Sequence, residues 1–396
     1  MKRAALLLFL ATLACKSATP PRPVDDATRA AIAQITKAVA QQPTHQPLIY
    51  ILASYHDQAG DSAAVVKWLT RLDELGWEHG VAPDGFRHTD TPAFRAIAAT
   101  LDARVPVVRN AQRAFTLANQ RDLIPEGIAF DPVDDVFYVS SIYRRKVLQI
   151  DRTGRASDFV TEGQDGMLGG LGLKVDAKRR LLWVISTTTP EMRGWKAGEE
   201  RSMLAAYDLR DGSLARKIEA TPAMLNDLAL MDDGSLFATD MMRHNVMRLA
   251  PGATALEVWS KDFSYPNGIA LSEDQRLLYV ADFRGITRFD LSDQSRTRIE
   301  SKSLLGGIDG LSVHRGQLIA IQNAIGKTRV LRIDPTNGNV EILESANPQF
   351  DIPTTGTVAG DDYYFIANTG LRAFDDNHVI WPLGKLREPI MLKLPL

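Results

Sequence analysis

The chain has 396 residues but only one cysteine, Cys15, so it can form neither an internal disulfide nor a Cys-x-x-Cys redox or metal motif. It has no excess of positive charge either, since 46 Lys and Arg against 48 Asp and Glu leave a net charge of -2, which argues against a nucleic-acid partner. The sequence contains no G-x-S-x-G elbow, no H-E-x-x-H pair and no phosphate-binding glycine loop. Any catalytic chemistry must therefore come from other residues. With 45% hydrophobic and 24% charged residues, the composition is that of a globular protein.

The N-terminal residues 1–15 have the pattern of an export signal: a basic start, a short apolar run and then Cys15. The run is too short to span a bilayer. Leu13-Ala14-Cys15 resembles the end of a bacterial lipobox, with Thr12 where that pattern prefers Leu, and predicts a lipid on Cys15. A plain signal peptide cut nearby is the alternative. Residues 16–24 are then a proline-rich tether, and we expect a protein of the periplasm or cell surface, anchored by its lipid to the outer membrane.

Residues 25–104 are rich in alanine and show helical rather than alternating spacing of apolar residues. The segment from Leu48 to Trp68 resembles one tetratricopeptide-type helix pair. One such pair cannot bury its own apolar face, so we expect flanking helices at about 26–42 and 92–103 to cover it. Two interpretations are open: a module that docks a protein partner, or a helical cap packed on the next domain.

Residues 105–396 contain short β-branched and aromatic runs separated by Gly, Asp and Pro, and the runs repeat. Six repeats open with PEGIAFDP, LGLKVD, LNDLALMDDG, PNGIALSED, IDGLSVHRG and TTGTVAGDD. Four-stranded repeats of about 40 residues are typical of β-propellers. The sequence therefore predicts an all-β six-bladed β-propeller preceded by a small α-helical domain. Because the last repeat is short of strands, we expect residues 107–123 and 389–395 to complete it and close the ring.

One position near the start of each repeat carries polar residues in most blades. When the six openings are aligned, this position is occupied by six residues that we call the column, namely Glu126, Leu171, Asn226, Asn267, Asp309 and Thr355. Rotation about a propeller axis brings equivalent positions to the same end of the central channel, so four oxygen donors of this column are expected to converge. Taken singly, an Asn-Gly or Asp-Gly pair is more often a turn. Four donors in one rotational register favour a site instead.

The donors at Glu126, Asn226, Asn267 and Asp309 suit a divalent cation. Two buried carboxylates repel each other unless a cation or protons compensate. Carboxylate and amide oxygens without His or Cys favour Ca²⁺, followed by Mg²⁺ or Mn²⁺, with Zn²⁺ less suited. Such a site keeps positions open for water and substrate, which is how a bound metal polarises a carbonyl and activates water.

The same openings, PEGIAF, LNDLAL, PNGIAL and IDGL, resemble the superfamily of gluconolactonases with senescence marker protein and luciferin-regenerating enzyme, paraoxonases and squid-type diisopropylfluorophosphatase. The resemblance covers about residues 120–372. It implies a six-bladed propeller with a catalytic Ca²⁺ or other divalent ion that hydrolyses lactones, esters or organophosphates. It also implies that the four donors are metal ligands and that Asp227 is a carboxylate beside them or facing the substrate.

The sequence departs from the pattern of that family at two positions, which limits the family features that we expect in this chain. Gly127 follows Glu126 where paraoxonases have an acidic residue that helps to hold a second Ca²⁺, which puts a second metal in doubt. Blade two offers Leu171 in a glycine-rich run where paraoxonases have a histidine, so a paraoxonase-type His dyad is excluded. Asp309 is then the first candidate for the general base or nucleophile, and Asp227 is the second.

Loops between the second and third strands of the blades are expected to wall the site. They carry Asp240, Met241, His244 and Asp282, together with an insertion from Thr187 to Ser202. Histidine is the usual general acid or base at neutral pH, which makes His244 a third catalytic candidate, although a lone His in a hairpin is more often a solvated turn residue. The two aspartates are more often strand-end caps. The insertion is either a lid or a tolerated surface loop.

We therefore expect an exported, metal-dependent hydrolase of small lactones or esters. The alternative from another class is a non-catalytic binding or scaffold propeller, in which the metal only rigidifies the ring and the helical segment docks a partner. A metal-free propeller resembling strictosidine synthase is disfavoured by the intact set of acidic and amide side chains. The sequence does not specify the substrate.

Overall fold

A computed structural model of the chain describes residues 24–82, 85–375 and 377–396. Residues 1–23 lie outside the described residues. The export signal with Cys15 and the tether at residues 16–24, of which only the last residue is described, therefore stay predictions. The chain forms two compact units. The first comprises the chain up to Val107 together with Ile325–Thr328 and Arg372–Val379, and the second comprises Val108–Ala324, Arg329–Leu371 and Ile380–Leu396.

The first unit contains four helices within the described residues: α1 (Asp26–Gln41), α2 (Gln46–Gln58), α3 (Ser62–Glu74) and α4 (Pro92–Asp102). Their starts follow from local sequence, because a polar side chain before each helix accepts a hydrogen bond from the first turn. Thr91, for example, accepts from Phe94 N at 3.1 Å, and Pro92 then supplies a helical φ. The predicted helical domain is confirmed, whereas the relation of α2 and α3 to tetratricopeptide repeats stays a prediction.

The apolar faces of α2 and α3 form the core of this unit. Leu52 of α2 and Val65 and Leu69 of α3 are completely buried. The ring of Tyr50 stacks on that of Trp77 with 5.3 Å between centroids, and the indole N–H of Trp77 donates to Gly80 O at 2.7 Å. Among the described residues, no helix is long and apolar enough to cross a membrane.

The second unit is built of strands. Those before and in the first two blades are β1 (Val108–Arg109), β2 (Gln112–Thr116), β3 (Pro125–Asp131), β4 (Val136–Ser141), β5 (Lys146–Ile150), β6 (Ala156–Val160), β7 (Gly169–Asp176), β8 (Leu181–Thr187), β9 (Ser202–Asp208) and β10 (Leu214–Ala220). The next two blades contain β11 (Leu225–Leu230), β12 (Leu236–Asp240), β13 (Asn245–Leu249), β14 (Glu257–Ser260), β15 (Ile269–Leu271), β16 (Leu277–Asp282), β17 (Gly285–Asp290) and β18 (Arg296–Arg298). The last two contain β19 (Ile308–His314), β20 (Gln317–Gln322), β21 (Arg329–Ile333), β22 (Val340–Ser345), β23 (Gly356–Ala359), β24 (Asp362–Ile366) and β25 (Ile390–Pro395).

These strands form six antiparallel sheets, one for each predicted repeat, so the six-bladed propeller is confirmed. Blades one to four each contain four consecutive strands, from β3–β6 to β15–β18. Blade five is β19–β22 with β1 added at its outer edge, and blade six has the order β23-β24-β25-β2. The two ends of the propeller sequence thus complete the last blades. Pairing of β2 with β25 closes the ring, and radial repetition of the blades leaves only short, protected sheet edges.

The seam between blades six and one is packed with aromatic rings. The ring of Phe137 in β4 lies 5.9 Å from that of Phe115 in β2 and 4.7 Å from that of Tyr364 in β24, measured between centroids. The guanidinium of Arg152 lies 4.5 Å from the ring centroid of Phe130 and covers this cluster. Apolar burial at the closure holds residues distant in sequence together, which keeps the ring and its axis in place.

Candidate functional site

Irregular pairing at the start of the first strand of a blade, the strand nearest the propeller axis, redirects the side chains of the column residues. In antiparallel sheets a β-bulge removes residues from regular pairing and redirects their side chains. The pairing of first and second strands shifts between Pro125 and Ile128, between Gly170 and Leu173, between Leu225 and Leu228, and between Ile308 and Leu311. Glu126, Leu171, Asn226 and Asp309 each lie within one of these shifts. Their side chains therefore leave the alternation that the rest of each strand follows.

Glycines after the column residues allow neighbouring blades to approach closely. A Cβ on Gly172 of blade two would lie 2.7 Å from the carbonyl oxygen of Asn226 in blade three. A Cβ on Gly310 of blade five would lie 2.7 Å from Cα of Thr355 in blade six. Gly127 and Gly268 are even closer to the column residues of their next blades. These glycines do not have positive φ, so they serve close packing rather than a turn.

The ring of column residues closes through hydroxyl groups. Thr354 and Thr355 of blade six both donate to the carbonyl oxygen of Glu126 in blade one, at 2.8 and 2.6 Å. Between blades three and four, the Asp227 carboxylate accepts a hydrogen bond from the backbone N–H of Ile269. Blade six is thus tied to blade one, and blade three to blade four, next to the predicted ligands.

The two acidic column residues, from blades one and five, lie close enough to repel each other. The charge of Asp309 acts on Glu126 and raises the pKa of the Glu126 carboxyl. Asp309 accepts hydrogen bonds from Asn267 of blade four and from Nδ2 of Asn323, the latter at 2.5 Å from Oδ2. Three predicted ligands, Glu126, Asn267 and Asp309, therefore lie near one another. Asn323 also belongs to the site through this hydrogen bond, and its position after a second strand is the only feature of the sequence that points to it.

Several buried oxygens in this cluster have no hydrogen-bond donor among the residues that the structure describes. They are Glu126 Oε2, Asn226 Oδ1, Asn267 Oδ1 and Asp227 Oδ2. The amide nitrogens of the two asparagines are turned elsewhere, because Asn226 Nδ2 donates to Met241 Sδ at 3.0 Å and Asn267 donates to Asp309. A buried acceptor without a partner costs free energy comparable to a lost hydrogen bond. The orphaned oxygens come from all the predicted ligands except Asp309, and a cation is the partner that would satisfy them together.

Burial dominates the electrostatics of the acidic side chains. Glu126, Asp227 and Asp309 are only 4%, 2% and 8% exposed. Burial, with the charges of Asp309 and Asp227, raises the pKa of Glu126 well above its usual value. Burial also raises the pKa of Asp309 to about 7, against the lowering effect of hydrogen bonds from Asn323 and Asn267. All these shifts reflect the cost of holding negative charges together in a dry site.

Lys174 supplies the positive charge nearest to Asp227. Its Nζ lies 3.7 Å from Asp227 Oδ1, and its charge opposes the rise in the pKa of Asp227 that burial causes. Asp227 Oδ1 also accepts from Leu228 N at 2.8 Å. The charge of Lys174 also lowers the pKa of Glu126, but one positive charge cannot neutralise three carboxylates, so a divalent cation would complete the neutralisation.

Within the described ranges, no three His, Cys, Asp or Glu side chains form a group that could hold a metal ion. The cluster at the column differs from such a group because it combines two carboxylates, Glu126 and Asp309, with the amides of Asn226 and Asn267. Amide oxygens are ordinary ligands of Ca²⁺. The donor chemistry therefore fits a hard divalent cation, and a soft metal that prefers nitrogen or sulfur fits poorly.

Asp240 and Asp282 cap the ends of second strands. Asp240 Oδ1 accepts from the backbone N–H groups of Met224, Met242 and Arg243, at 3.1 to 3.2 Å. Asp282 accepts from Ser264 N and Arg284 N and pairs with the guanidinium groups of Arg284 and Arg298. Both carboxylates thus satisfy backbone donors at hairpins, in agreement with the structural interpretation of these residues.

His244 lies at a hairpin with φ of 59°. Its Nδ1 accepts a hydrogen bond from Tyr265 N at 3.4 Å, and its ring meets the Tyr265 ring edge to face with 4.8 Å between centroids. An Nδ1 that accepts leaves the proton of a neutral imidazole on Nε2. His244 therefore has no free acceptor nitrogen in this arrangement, and its catalytic role stays a prediction.

The insertion between β8 and β9 is held against blade one. Arg193 NH1 pairs with Glu162 Oε1 at 2.9 Å, and the guanidinium lies 4.7 Å from the centroid of the Tyr143 ring. Arg193 N also donates to Tyr143 O. At the base of the insertion, Thr188 Oγ1 donates to Glu199 O at 2.8 Å. These contacts fasten the insertion to the loop between β4 and β5, and a lid function stays a prediction.

Comparison with known proteins identifies the same family as the opening motifs. Residues 175–365 match the family described as the SMP-30/gluconolactonase/LRE-like region. This stretch includes Asn226, Asn267 and Asp309, whereas Glu126 precedes it. Among curated protein sequences, no match to the chain is significant.

Solved structures show the same fold at low sequence identity. Regucalcin from Agrobacterium tumefaciens strain C58, a calcium-binding protein, has a TM-score of 0.53 and 18% identity, with 73% of this chain and 95% of that chain covered. Luciferin-regenerating enzyme has a TM-score of 0.50 and 14% identity, with 69% and 92% covered. The resemblance seen in the openings is confirmed by the match of residues 175–365 to the SMP-30/gluconolactonase/LRE-like region, and the solved structures share the fold.

Proposed function

We propose that the propeller is a divalent-metal-dependent hydrolase of small lactones or esters, with Ca²⁺ as its ion. The observation that carries the proposal is the set of buried oxygens from Glu126, Asn226 and Asn267 that lack a hydrogen-bond donor. Asp309 joins this set through its charge interaction with Glu126 and its hydrogen bond from Asn267. The family match supports lactone chemistry, and the calcium binding of regucalcin supports the choice of ion.

The residues of this chain would hold the ion and position a proton acceptor. Glu126, Asn226, Asn267 and Asp309 would be the ligands, and the bound ion would neutralise their charge and polarise a substrate carbonyl. Asn323 donates to Oδ2 of Asp309, which fixes the plane of the carboxylate that would accept the proton.

Asp227 has a different environment from Asp309. Its Oδ1 is held by Leu228 N and lies near Lys174, so this carboxylate is compensated by the chain itself. Asp309 instead depends on amide donors and on a cation. Of the two candidates, Asp309 is thus the better general base, and Asp227 orients groups beside it. Asp227 Oδ2, which lacks a donor, is available to a substrate hydroxyl.

The test is a screen of purified protein on small lactones, aryl esters and phosphotriesters, with metal analysis. We expect hydrolysis that stops in a chelator and returns with Ca²⁺. The Asp309→Asn variant should keep its fold and lose about 10²-fold to 10⁴-fold in kcat, the usual contribution of a general base. Activity that is indifferent to chelation and to this substitution contradicts the proposal.

The same variant separates the enzyme from a binding propeller with a structural metal. In that alternative, wild type shows no turnover on the panel, and Asp309→Asn lowers only the melting temperature. A protein partner of the helical unit would then be the main ligand. We favour the enzyme because a cation held by these amide oxygens and carboxylates would also polarise a substrate carbonyl.

Export and lipid anchoring complete the proposal, and the support for them is the sequence of residues 1–15. Expression of the full chain in a bacterial host should give a membrane-associated protein with a lipid on Cys15. The Cys15→Ala variant should lose the lipid and, if the export signal is still cut, appear in the soluble exported fraction. Equal membrane association of both forms contradicts lipid anchoring.

A further inference from the structure

Two blades carry an interacting side chain at the same structural position, immediately after the second strand. In blade three, Leu225 pairs with Asp240 at the end of β12, and Met241 follows. In blade five, Ile308 pairs with Gln322 at the end of β20, and Asn323 follows. Each of these following residues contacts the predicted ligand of its own blade: Met241 Sδ contacts Asn226, and Asn323 Nδ2 contacts Asp309.

The chemistry at each position matches what the ligand needs. Asp309 is a carboxylate that only accepts hydrogen bonds when ionised, and Asn323 offers it a donor. Asn226 has both a donor and an acceptor end, and Met241 offers it a thioether sulfur, which can accept but cannot donate. The nitrogen of Asn226 must therefore face the sulfur, 3.0 Å away, and Oδ1 must face the opposite way.

Met241 is held firmly enough to impose this choice. Its backbone N donates to Met224 O at 2.9 Å, which continues the pairing of the innermost strand with β12. The preceding residue, Asp240, is completely buried and accepts from the N–H groups of both Met224 and Met242. The sulfur therefore projects from a fixed hairpin beside the column.

The other asparagine ligand needs no such partner. Asn267 gives its N–H to Asp309, so its orientation is set within the column itself. The residue at the corresponding place in blade four is Phe283, which follows Asp282 at the end of β16 and has no polar side-chain atom. In blade three, the residue after the second strand is an acceptor, and the amide nitrogen of the predicted ligand needs one. In blade four, the residue at this place is not an acceptor, and the amide nitrogen of Asn267 already donates to Asp309.

We propose that Met241 is a positioning residue: its sulfur accepts the N–H of Asn226 and thereby turns the amide oxygen of Asn226 towards the cation. The inference rests on the proposed metal site and identifies a residue that controls ligand orientation there. Supporting residues around a metal typically contribute about 10-fold to 100-fold in affinity through the ligands they orient.

The experiment measures Ca²⁺ affinity by calorimetry on the full chain after chelation, which needs no substrate. Met241→Leu keeps the size of the side chain and removes the acceptor, so we expect Ca²⁺ binding to weaken about tenfold. Met241→Gln restores an acceptor at similar length and should return the affinity towards wild type. Met242→Leu is the matched control, because the neighbouring Met242 is 36% exposed and should bind Ca²⁺ like wild type.

The outcomes separate this inference from the proposed function. If wild type binds Ca²⁺ and Met241→Leu binds it equally well, the positioning role of Met241 is wrong and the metal site stands. If Met241→Leu and Met241→Gln lose affinity equally, Met241 acts by packing alone, which also overturns the role. If wild type binds no divalent cation, the proposed function and the positioning role fall together. Thermal unfolding of each variant without metal verifies that the fold is retained.

Discussion

Asn323 joins Asp309 to the segment that opens the next blade: one N–H of its Nδ2 donates to Asp309 Oδ2 at 2.5 Å, and the other donates to Pro353 O at 2.9 Å. A single amide thus fixes the candidate base of blade five against the entry to blade six. It also stabilises the ionised form of Asp309, and so opposes the effect of burial on the pKa of that carboxyl. Removing the Asn323 amide should therefore change both the orientation and the protonation of the Asp309 carboxyl.

We predict that Asn323→Ala lowers kcat about 10-fold to 100-fold, because Asp309 loses the donor that orients it. The pKa of Asp309 should rise further, so in metal-free protein the carboxyl should ionise at higher pH than in wild type. Kinetics on the best substrate of the panel and titration of the metal-free protein by NMR measure both effects. Asn337→Ala is the control, since the hydrogen bonds of the Asn337 side chain, to Asp334 and from Asn339 N, lie within one surface hairpin. Equal activity of the two variants contradicts the role of Asn323.

Removal of the metal should destabilise the propeller as well as inactivate it. A cation that binds only the folded state stabilises it by about 2.7 kcal/mol when its free concentration is a hundred times the Kd. We expect the melting temperature to fall in a chelator and to rise with the Ca²⁺ concentration. Asp309→Asn, which has one carboxylate less at the site, should show a smaller rise. A melting temperature unaffected by both chelator and Ca²⁺ excludes a metal at this site.

The stability of metal-free protein should decrease as pH rises from about 4 to about 7. Asp309 has a pKa of about 7 in the folded chain, above the value of about 3.9 for an unfolded aspartate, and the pKa of Glu126 is raised as well. A carboxyl with a raised pKa stabilises the fold fully below its unfolded pKa, and this contribution disappears as pH passes the folded pKa.

Urea unfolding in a chelator across this pH range measures the effect. With saturating Ca²⁺ the fall in stability should vanish or reverse, because the ion binds the deprotonated carboxylates. In metal-free Asp309→Asn the fall should be smaller than in wild type. A stability curve of metal-free wild type that rises between pH 5 and pH 7 contradicts the burial of these two carboxyls.

Gly172→Ala should destabilise the propeller and weaken Ca²⁺ binding. The added Cβ would lie 2.7 Å from both Asn226 O and Asp227 Oδ1, so blades two and three would have to separate beside a ligand. Overpacking of this kind costs about 1 to 3 kcal/mol. The control is Gly384→Ala, because Gly384 has no atom within 4 Å of its added Cβ and no positive φ. Urea unfolding compares the two variants, and equal stability of both contradicts the tight approach at the column.

Repetition explains how much of the site could be predicted. Each repeat buries one innermost strand in the same way, so aligning the openings gave both the number of blades and the column without knowledge of any contact. The glycines after the column residues were harder to interpret. Asn267-Gly268 and Asp309-Gly310 have the sequence of turns, but the structure places them where neighbouring blades meet, a requirement that only the packed ring imposes.

The sequence by itself determined the helical segment, the six blades, the closing strands and the four oxygen donors, because these depend on local periodicity and on the repeat. Only the tertiary structure decided that the amide nitrogen of Asn226 faces the sulfur of Met241 and that Asn323 donates to Asp309. It also decided that the nitrogen of His244 is occupied by Tyr265 N. These features depend on contacts between residues that are separated within a repeat. The direction of a single hydrogen bond leaves no periodic pattern in the sequence, so the sequence could not predict it.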